Sequence, residues 1–400
     1  MTKTAHRPCP VCGGPEVAVL HHQRFVLPQG HPLPSSYDVV ACSRCDFVFA
    51  DTTGTAADYD RYYAQYSKYA DQGTATGGGG DAADQERLRA MAEAIAGRLP
   101  DKHARIVDIG CANGGLLGAL KARGYSHLLG IDPSPTCVEN ARRLFDLPVS
   151  QGWLLALPPQ AAPADLVIVS HVLEHVLDLR RALAQVRAVL SPHGLVYAEV
   201  PDAQRYVECL AAPFQDFNTE HINHFGTASL ENLFSSCGLF CLALGRKTIT
   251  VAQGVPYPAV FGFFGQASAG TPGPAWKRDP AFLQNVGRYI VASRSQLAGI
   301  DQRLAPVLGG PVIVWGTGQL TLKLLAETSL GRAQIAAFTD ANPLHHGECL
   351  NGVQIVAPEH LVSLPPHPIV VGSLLHQAAI VARIRGPLGL RNPLVTLEPA

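Results

Sequence analysis

Nine residues past the middle of the chain, FNTEHINHF (217–225), carry two histidines, a glutamate and two asparagines. Buried polar groups are costly unless each finds a partner, so such density points to a site rather than a turn. The imidazole of His221 has an intrinsic pKa near neutrality and can take a proton at working pH. Glu220 can orient that ring or a substrate hydroxyl. Asn218 can hydrogen-bond a substrate oxygen or a developing enolate, and His224 is a second candidate base. The competing reading is that Glu220 caps the following helix and the histidines satisfy buried backbone groups.

A second stretch, VDIGCANGG (107–115), lies where a buried strand turns into a helix, the place at which open α/β sheets bind ligands. Gly110 and Gly114 let the backbone pass close to a ligand, and the helix start offers free N–H groups. Asp108 makes the reading sharper. A carboxylate two residues ahead of the first glycine opposes a pyrophosphate but suits an ammonium group, as in S-adenosylmethionine. Asp132 ends the next strand, 22 positions after Gly110, and is placed to accept from both ribose hydroxyls. The plainer alternative makes Asp108 a helix cap and Asp132 a turn former.

Cys9, Cys12, Cys42 and Cys45 form two CxxC pairs, each able to present two thiolates to one tetrahedral zinc ion. The 29 residues between the pairs exceed the usual zinc-ribbon spacing, so a knuckle with a long insert is expected. Four thiolates leave no open position, which makes the site structural. Two independent redox dithiols are the alternative. His21, His22 and His31 lie in the insert and are expected at the surface.

These residues need a scaffold. The helix-like run 85–99 is followed by RIVDIG, GGLLGALKARG, HLLGID, a helix capped by Ser134, ADLVIVS, a helix over 178–190 and GLVYAEVP. Strands alternating with helices imply an α/β fold with a parallel sheet covered on both faces. A helix over 228–237 and a hairpin of strands 239–245 and 247–252 follow. The Gly/Pro-rich passage 253–280 marks a boundary, and PVIVWGTG, IAAFTD, NGVQIVAP, PIVVGS and NPLVTL form a second, smaller α/β unit. The expected layout is a zinc knuckle with a tyrosine-rich lid (1–73), a Rossmann-like central domain (81–252), a connector (253–310) and a C-terminal Rossmann-like domain (311–400).

The chain has 400 residues, 47% hydrophobic and 16% charged, with formal net charge −1 at pH 7. That balance fits a globular protein and gives no electrostatic case for nucleic acid or membrane as partner. Neither a signal peptide nor an apolar run long enough for a membrane span is present, so a cytoplasmic protein with a small-molecule substrate is expected.

VDIGCANGGLLGAL, LLGIDPSP and SHVLEHVLD resemble three successive motifs of class I S-adenosylmethionine-dependent methyltransferases, in order, over about residues 85–250. The resemblance implies that Asn113 and Pro133, inside the first two motifs, contact the cofactor. It places Ser170 and His171 on its methionine side, with Glu174 and His175 towards the substrate. The segment QGWLLALP would lie by the adenine, where Trp153 either stacks or belongs to the core. With the cysteine pairs in front and an α/β unit behind, the chain resembles zinc-binding C-methyltransferases of nucleotide-linked deoxysugars. In that family a Tyr-x-Glu-His pattern removes a proton beside a ketone. Glu220 and His221 match it, but Asn218 stands at the tyrosine, which leaves C- and O-methylation open. The family also sends a tyrosine from the lid to the substrate, here Tyr66 or Tyr69. Its extra domain helps hold the substrate's nucleotide. Taken alone, GTGQLT followed by Asp340 imitates a dinucleotide fingerprint with Thr321 at the third glycine. A nicotinamide-dependent oxidoreductase and a non-catalytic cofactor-binding protein are therefore the competing classes.

Overall fold

The computed structural model describes residues 2–66, 80, 82–251, 254–266 and 275–398. The chain divides into two compact units: 1–19, 40–209 and 220–286 make up the first, and 20–39, 210–219 and 287–400 the second. Tyr69 lies outside the described residues, as does the side chain of Tyr66, which ends the helix Ala56–Tyr66.

The first unit is built on a seven-stranded sheet. Its strands are β1 (Arg105–Ile109), β2 (His127–Asp132), β3 (Val149–Gln151), β4 (Ala164–Ser170), β5 (Leu190–Pro201), β6 (Leu239–Val251) and β7 (Val255–Gln266), in the order β6-β7-β5-β4-β1-β2-β3. β1 to β5 run parallel, and β7 lies antiparallel between β5 and β6. Alternate strand residues serve opposite faces. Val107, Ile109, Val167 and Val169 pack with Leu179 and Leu183 of the helix Leu179–Val189, whereas Ile106, Leu166 and Ile168 pack with Leu88 and Met91 of the helix Ala82–Ala96. Every strand of the centre is therefore apolar on both sides, which is why these runs read as continuous hydrophobic stretches.

The end of the sheet differs from the sequence reading. β6 is one strand without the break expected at 246, and its partner is β7, drawn from the passage expected to be a boundary. Pro256 and Pro258 made that passage look like a breaker. The ladder to β5 begins only at Ala259, so the missing proline N–H groups fall outside it, while the Pro258 carbonyl accepts from the Asp202 N–H at 2.9 Å.

Around the cysteines, Thr2–Thr4 pairs with Glu16–Arg24, and Asn223–His224 pairs with Val48–Asp51. Each CxxC closes as a tight turn, Gly13 N–H to Cys9 O at 2.8 Å and Asp46 N–H to Cys42 O at 3.0 Å.

The second unit carries a six-stranded sheet of β8 (Val312–Trp315), β9 (Ile335–Thr339), β10 (Cys349–Leu350), β11 (Val353–Val356), β12 (Ile369–Val371) and β13 (Leu394–Val395), ordered β10-β11-β9-β8-β12-β13. It also holds a correction. His21, expected at the surface, is buried, stacked on Phe214 with ring centroids 4.3 Å apart and hydrogen-bonded to Gln23 at 3.0 Å. The same Gln23 Oε1 accepts from the buried Lys323 ammonium at 2.8 Å, so the insert contributes a polar core. His22 is exposed and paired with Asp38, and His31 is half-buried.

Candidate active site

The turn after β1 is built from residues that few side chains could replace. Gly110 (φ 74°) and Gly114 (φ 80°) are left-handed, a region that disfavours side chains. A Cβ on Gly110 would lie 2.5 Å from Val172 Cγ2, and one on Gly114 would lie 2.8 Å from the Ala141 Cβ. Ala112 is also left-handed, at φ 46°, and its N–H donates to Asp132 Oδ2 at 2.9 Å. The second oxygen of Asp132 accepts the Ser134 N–H at 2.9 Å. Ser134 caps the helix Pro135–Phe145, accepting from the Cys137 N–H, and Asn140 of that helix donates to Asn113 at 3.0 Å. One carboxylate thus joins the glycine turn to the next strand end. Burial pushes Asp132 up to about 6. Asp108, buried at the end of β1, is pushed up to about 8 by burial and then by Asp132. It is therefore largely protonated at neutral pH.

The end of β4 leads to a second cluster. His171 is left-handed at φ 54° and lies between two buried carboxylates, its Nδ1 3.3 Å from Glu174 Oε1 and its Nε2 3.5 Å from Glu199 Oε1. Burial alone would lower its pKa, but the adjacent Glu174 and Glu199 carboxylates outweigh that and raise it to about 9. Glu199, from β5, is fully buried. Burial disfavours its charge, yet His171 and Lys247, the latter at 2.6 Å, hold it down at about 2. Sequence reasoning did not single out Glu199 or Lys247, because each is one polar residue inside a strand.

His175 and His221 meet edge to face, with ring centroids 4.9 Å apart. The Nδ1–H of His175 donates to Glu220 O at 3.2 Å, and the Ile222 N–H donates to Glu174 O at 2.9 Å. The 173–176 turn and the 220–223 loop are therefore stitched together by their backbones. Asn223 Nδ2 adds bonds to Leu173 O (2.8 Å) and Val176 O (2.7 Å). Arg7 donates to Asn223 Oδ1, to Leu177 O at 2.7 Å, and more loosely to Val176, Ala50 and Ile222 carbonyls. Neither Arg7 nor Asn223 was legible as a site residue. The helix Thr227–Ser236 begins at Gly226 with Ser229 closing the cap, so Glu220 does not cap it.

The remaining expected residues are spread out. His224 is fully buried, its Nδ1 3.5 Å from the Tyr206 hydroxyl, and burial together with Arg7 pushes it down to about 3. Asn218 belongs to the second unit, where its side chain donates to Gln215 O. Ser170 and Pro133 are half-buried, and half-buried Trp153 opens a turn that closes on Ala156.

Residues 82–244 match the family model described as Methyltransferase domain. Over this segment the chain is similar to methyltransferase domains. A ubiquinone biosynthesis O-methyltransferase from Methylocella silvestris is 36% identical over 104 residues, 25% of this chain and 40% of that protein. A trans-aconitate 2-methyltransferase from Methylobacterium nodulans is 33% identical over 149 residues, 36% of this chain and 51% of that protein. Among solved structures, an S-adenosylmethionine-dependent methyltransferase from Mesorhizobium loti overlaps 46% of this chain and 98% of its own with TM-score 0.37 and 21% identity. The chain spans about a third to a half of the length of the curated relatives it matches. Among the described residues, no helix is long and apolar enough to cross a membrane.

Within the matched segment, the expected cofactor residues Asp108, Gly110, Asn113, Gly114 and Asp132 fall in one turn and its supports. Outside it, the four cysteine sulfurs lie within 4.8 Å of one another, with Cys12 and Cys42 at 3.4 Å and Cys9 and Cys45 at 3.7 Å. A disulfide needs about 2.05 Å. Thiolates around one tetrahedral ion at about 2.3 Å stand about 3.8 Å apart, so the four sulfurs fit such an ion. The Gly14 and Arg44 N–H groups point at Cys12 and Cys42 at 3.4 Å, as donors to thiolates do.

Proposed function

We propose that the protein transfers a methyl group from S-adenosylmethionine to a small-molecule acceptor, a nucleotide-activated sugar or related secondary metabolite. His221 is the proton acceptor, and Cys9, Cys12, Cys42 and Cys45 hold a structural zinc. The observation that carries the transfer reading is the glycine turn. Its left-handed glycines open a path to the backbone, and the buried Asp108 offers a carboxyl to an ammonium group.

On the acceptor side the support is the pairing of half-buried His221 with His175 above the buried Glu174. Of the two histidines in the 217–225 stretch, His224 is sealed from solvent and His221 is half-buried, which leaves His221 as the one a substrate can reach. In the reaction the acceptor C–H or O–H proton passes to His221. The released electron pair bonds to the methyl carbon as the carbon–sulfur bond breaks, leaving neutral S-adenosylhomocysteine. The nucleophile must sit roughly 3–3.5 Å from that carbon, in line with sulfur. Asn218 at the family's tyrosine position leaves carbon or oxygen as the accepting atom. A sugar acceptor rests on the resemblance of the whole chain, with residues 311–400 holding its nucleotide.

Calorimetric titration with S-adenosylhomocysteine and with NAD tests the cofactor. Saturable binding of the first alone is expected, and binding of NAD alone would overturn the reading. For the acceptor atom, a 4-keto sugar nucleotide incubated in deuterated water separates the chemistries. Wash-in of deuterium beside the ketone, lost in His221→Ala, marks an enolate, and its absence with a methyl ether as product marks O-methylation.

A further inference from the structure

Three side chains of the first unit are arranged as ligands rather than as a proton-transfer pair alone. Glu174, His175 and His221 bring a carboxylate oxygen and two ring nitrogens within 4.8 Å of one another. His175 Nδ1–H donates to Glu220 O at 3.2 Å, so its Nε2 carries a lone pair, 4.0 Å from Glu174 Oε1. Two acceptors then face each other with no donor between them, a gap too long for a hydrogen bond and suited to a shared cation. A second observation points the same way. Glu174 is 1% exposed, and its Oε2 has no hydrogen-bond partner among the described residues. An orphaned buried carboxylate oxygen is expensive, and a bound ion would satisfy it.

We propose that Glu174, His175 and His221 form a site for one divalent cation of the first transition row. One carboxylate and two imidazoles suit borderline ions. Ligands about 2.1 Å from such an ion stand about 3.4 Å apart, so closure draws atoms that now lie within 4.8 Å of one another together by up to about 1.4 Å. The supports that metal sites use are already in place: a backbone carbonyl fixes the His175 tautomer, and His171 holds the carboxylate at 3.3 Å. Asn223, bonded to both Leu173 O and Val176 O, fixes the turn that presents two of the ligands. Three protein ligands leave positions for substrate oxygens. One consequence rests on the methyl-transfer reading. The same lone pair of His221 holds either a proton or the ion, so loading withdraws the base and slows transfer.

The test titrates Co2+ into the full chain with its cysteine cluster already zinc-loaded. The expected result is one equivalent bound with weak visible d–d bands. Thiolate charge-transfer absorption would instead report exchange at the cysteines. His221→Ala and Glu174→Gln should each weaken that equivalent at least about tenfold, and half-buried His221 keeps the test available if the buried substitution unfolds the chain. No such equivalent, or one unchanged in His221→Ala, overturns the proposal. Methyl transfer is followed in parallel. A rate that falls as cobalt fills the site is expected, whereas a rate that rises would overturn the base assignment of His221 and leave the ion site standing.

Discussion

Asp108 and His171 both hold their protons at neutral pH, which leaves the first neutral and the second charged. Burial, and then the neighbouring Asp132 carboxylate, hold Asp108 at about 8, whereas His171 sits between two carboxylates at about 9. An acid whose pKa rises on folding binds more protons folded than unfolded. Asp108 therefore lowers stability as pH climbs from its unfolded value of about 4 to about 8. Asp108→Asn should raise the denaturation midpoint of the cofactor-free protein at pH 8 and weaken S-adenosylmethionine binding at least about tenfold. If the cofactor's ammonium ionises Asp108, binding releases a proton, and affinity rises with pH until it levels above about 8. Calorimetry in buffers of different ionisation enthalpy reads that proton directly. The sign reverses for His171. Its raised pKa contributes stability that is complete below about 6.5 and lost as pH rises through about 9. His171→Ala should cost about 3–5 kcal/mol at pH 6, as expected for one partner removed from a buried charge cluster, and less at pH 10, in urea denaturation at both pH values.

The glycine turn shows how an element constrains a residue. Gly110→Ala meets Val172 Cγ2 at 2.5 Å in a left-handed conformation, so a loss of about 1–3 kcal/mol is expected, together with loss of cofactor binding in the same titration. This turn was legible because glycine spacing, strand pattern and the aspartate after the next strand are all local. The β6–β7 hairpin was not, since its prolines read as breakers until the neighbouring ladder shows where N–H groups are needed. Arg7 and Asn223 were illegible for a different reason. Their partners lie up to 216 residues away, and no periodicity within a window can announce such a contact. His21 was misplaced on the same ground, its burial being set by Phe214 and Lys323.

At the scale of the molecule, the two sheets repeat one device. Asp132 accepts from Ala112 and Ser134 N–H groups, and Asp340 accepts from the Thr317 and Asn342 N–H groups at 2.7 and 2.9 Å. Closure of a glycine turn by the next strand's aspartate is thus a structural habit of this chain. The cysteine cluster belongs to this scale as well. If zinc holds it, a strong chelator should lower the denaturation midpoint by tens of degrees or unfold the chain, and re-added zinc should restore it, since structural zinc supplies folding free energy.

Arg7 precedes all four cysteines in the chain, yet its guanidinium gathers carbonyls of Ala50, Val176, Leu177 and Ile222. Shaving off the first eight residues would spare every thiol and every glycine of the cofactor turn. The trimmed protein would keep those groups, while the 173–176 turn and the 220–223 loop would lose the clasp that keeps them in step. Arg7 thus ties the 173–176 turn to the 220–223 loop from a point far away in the chain.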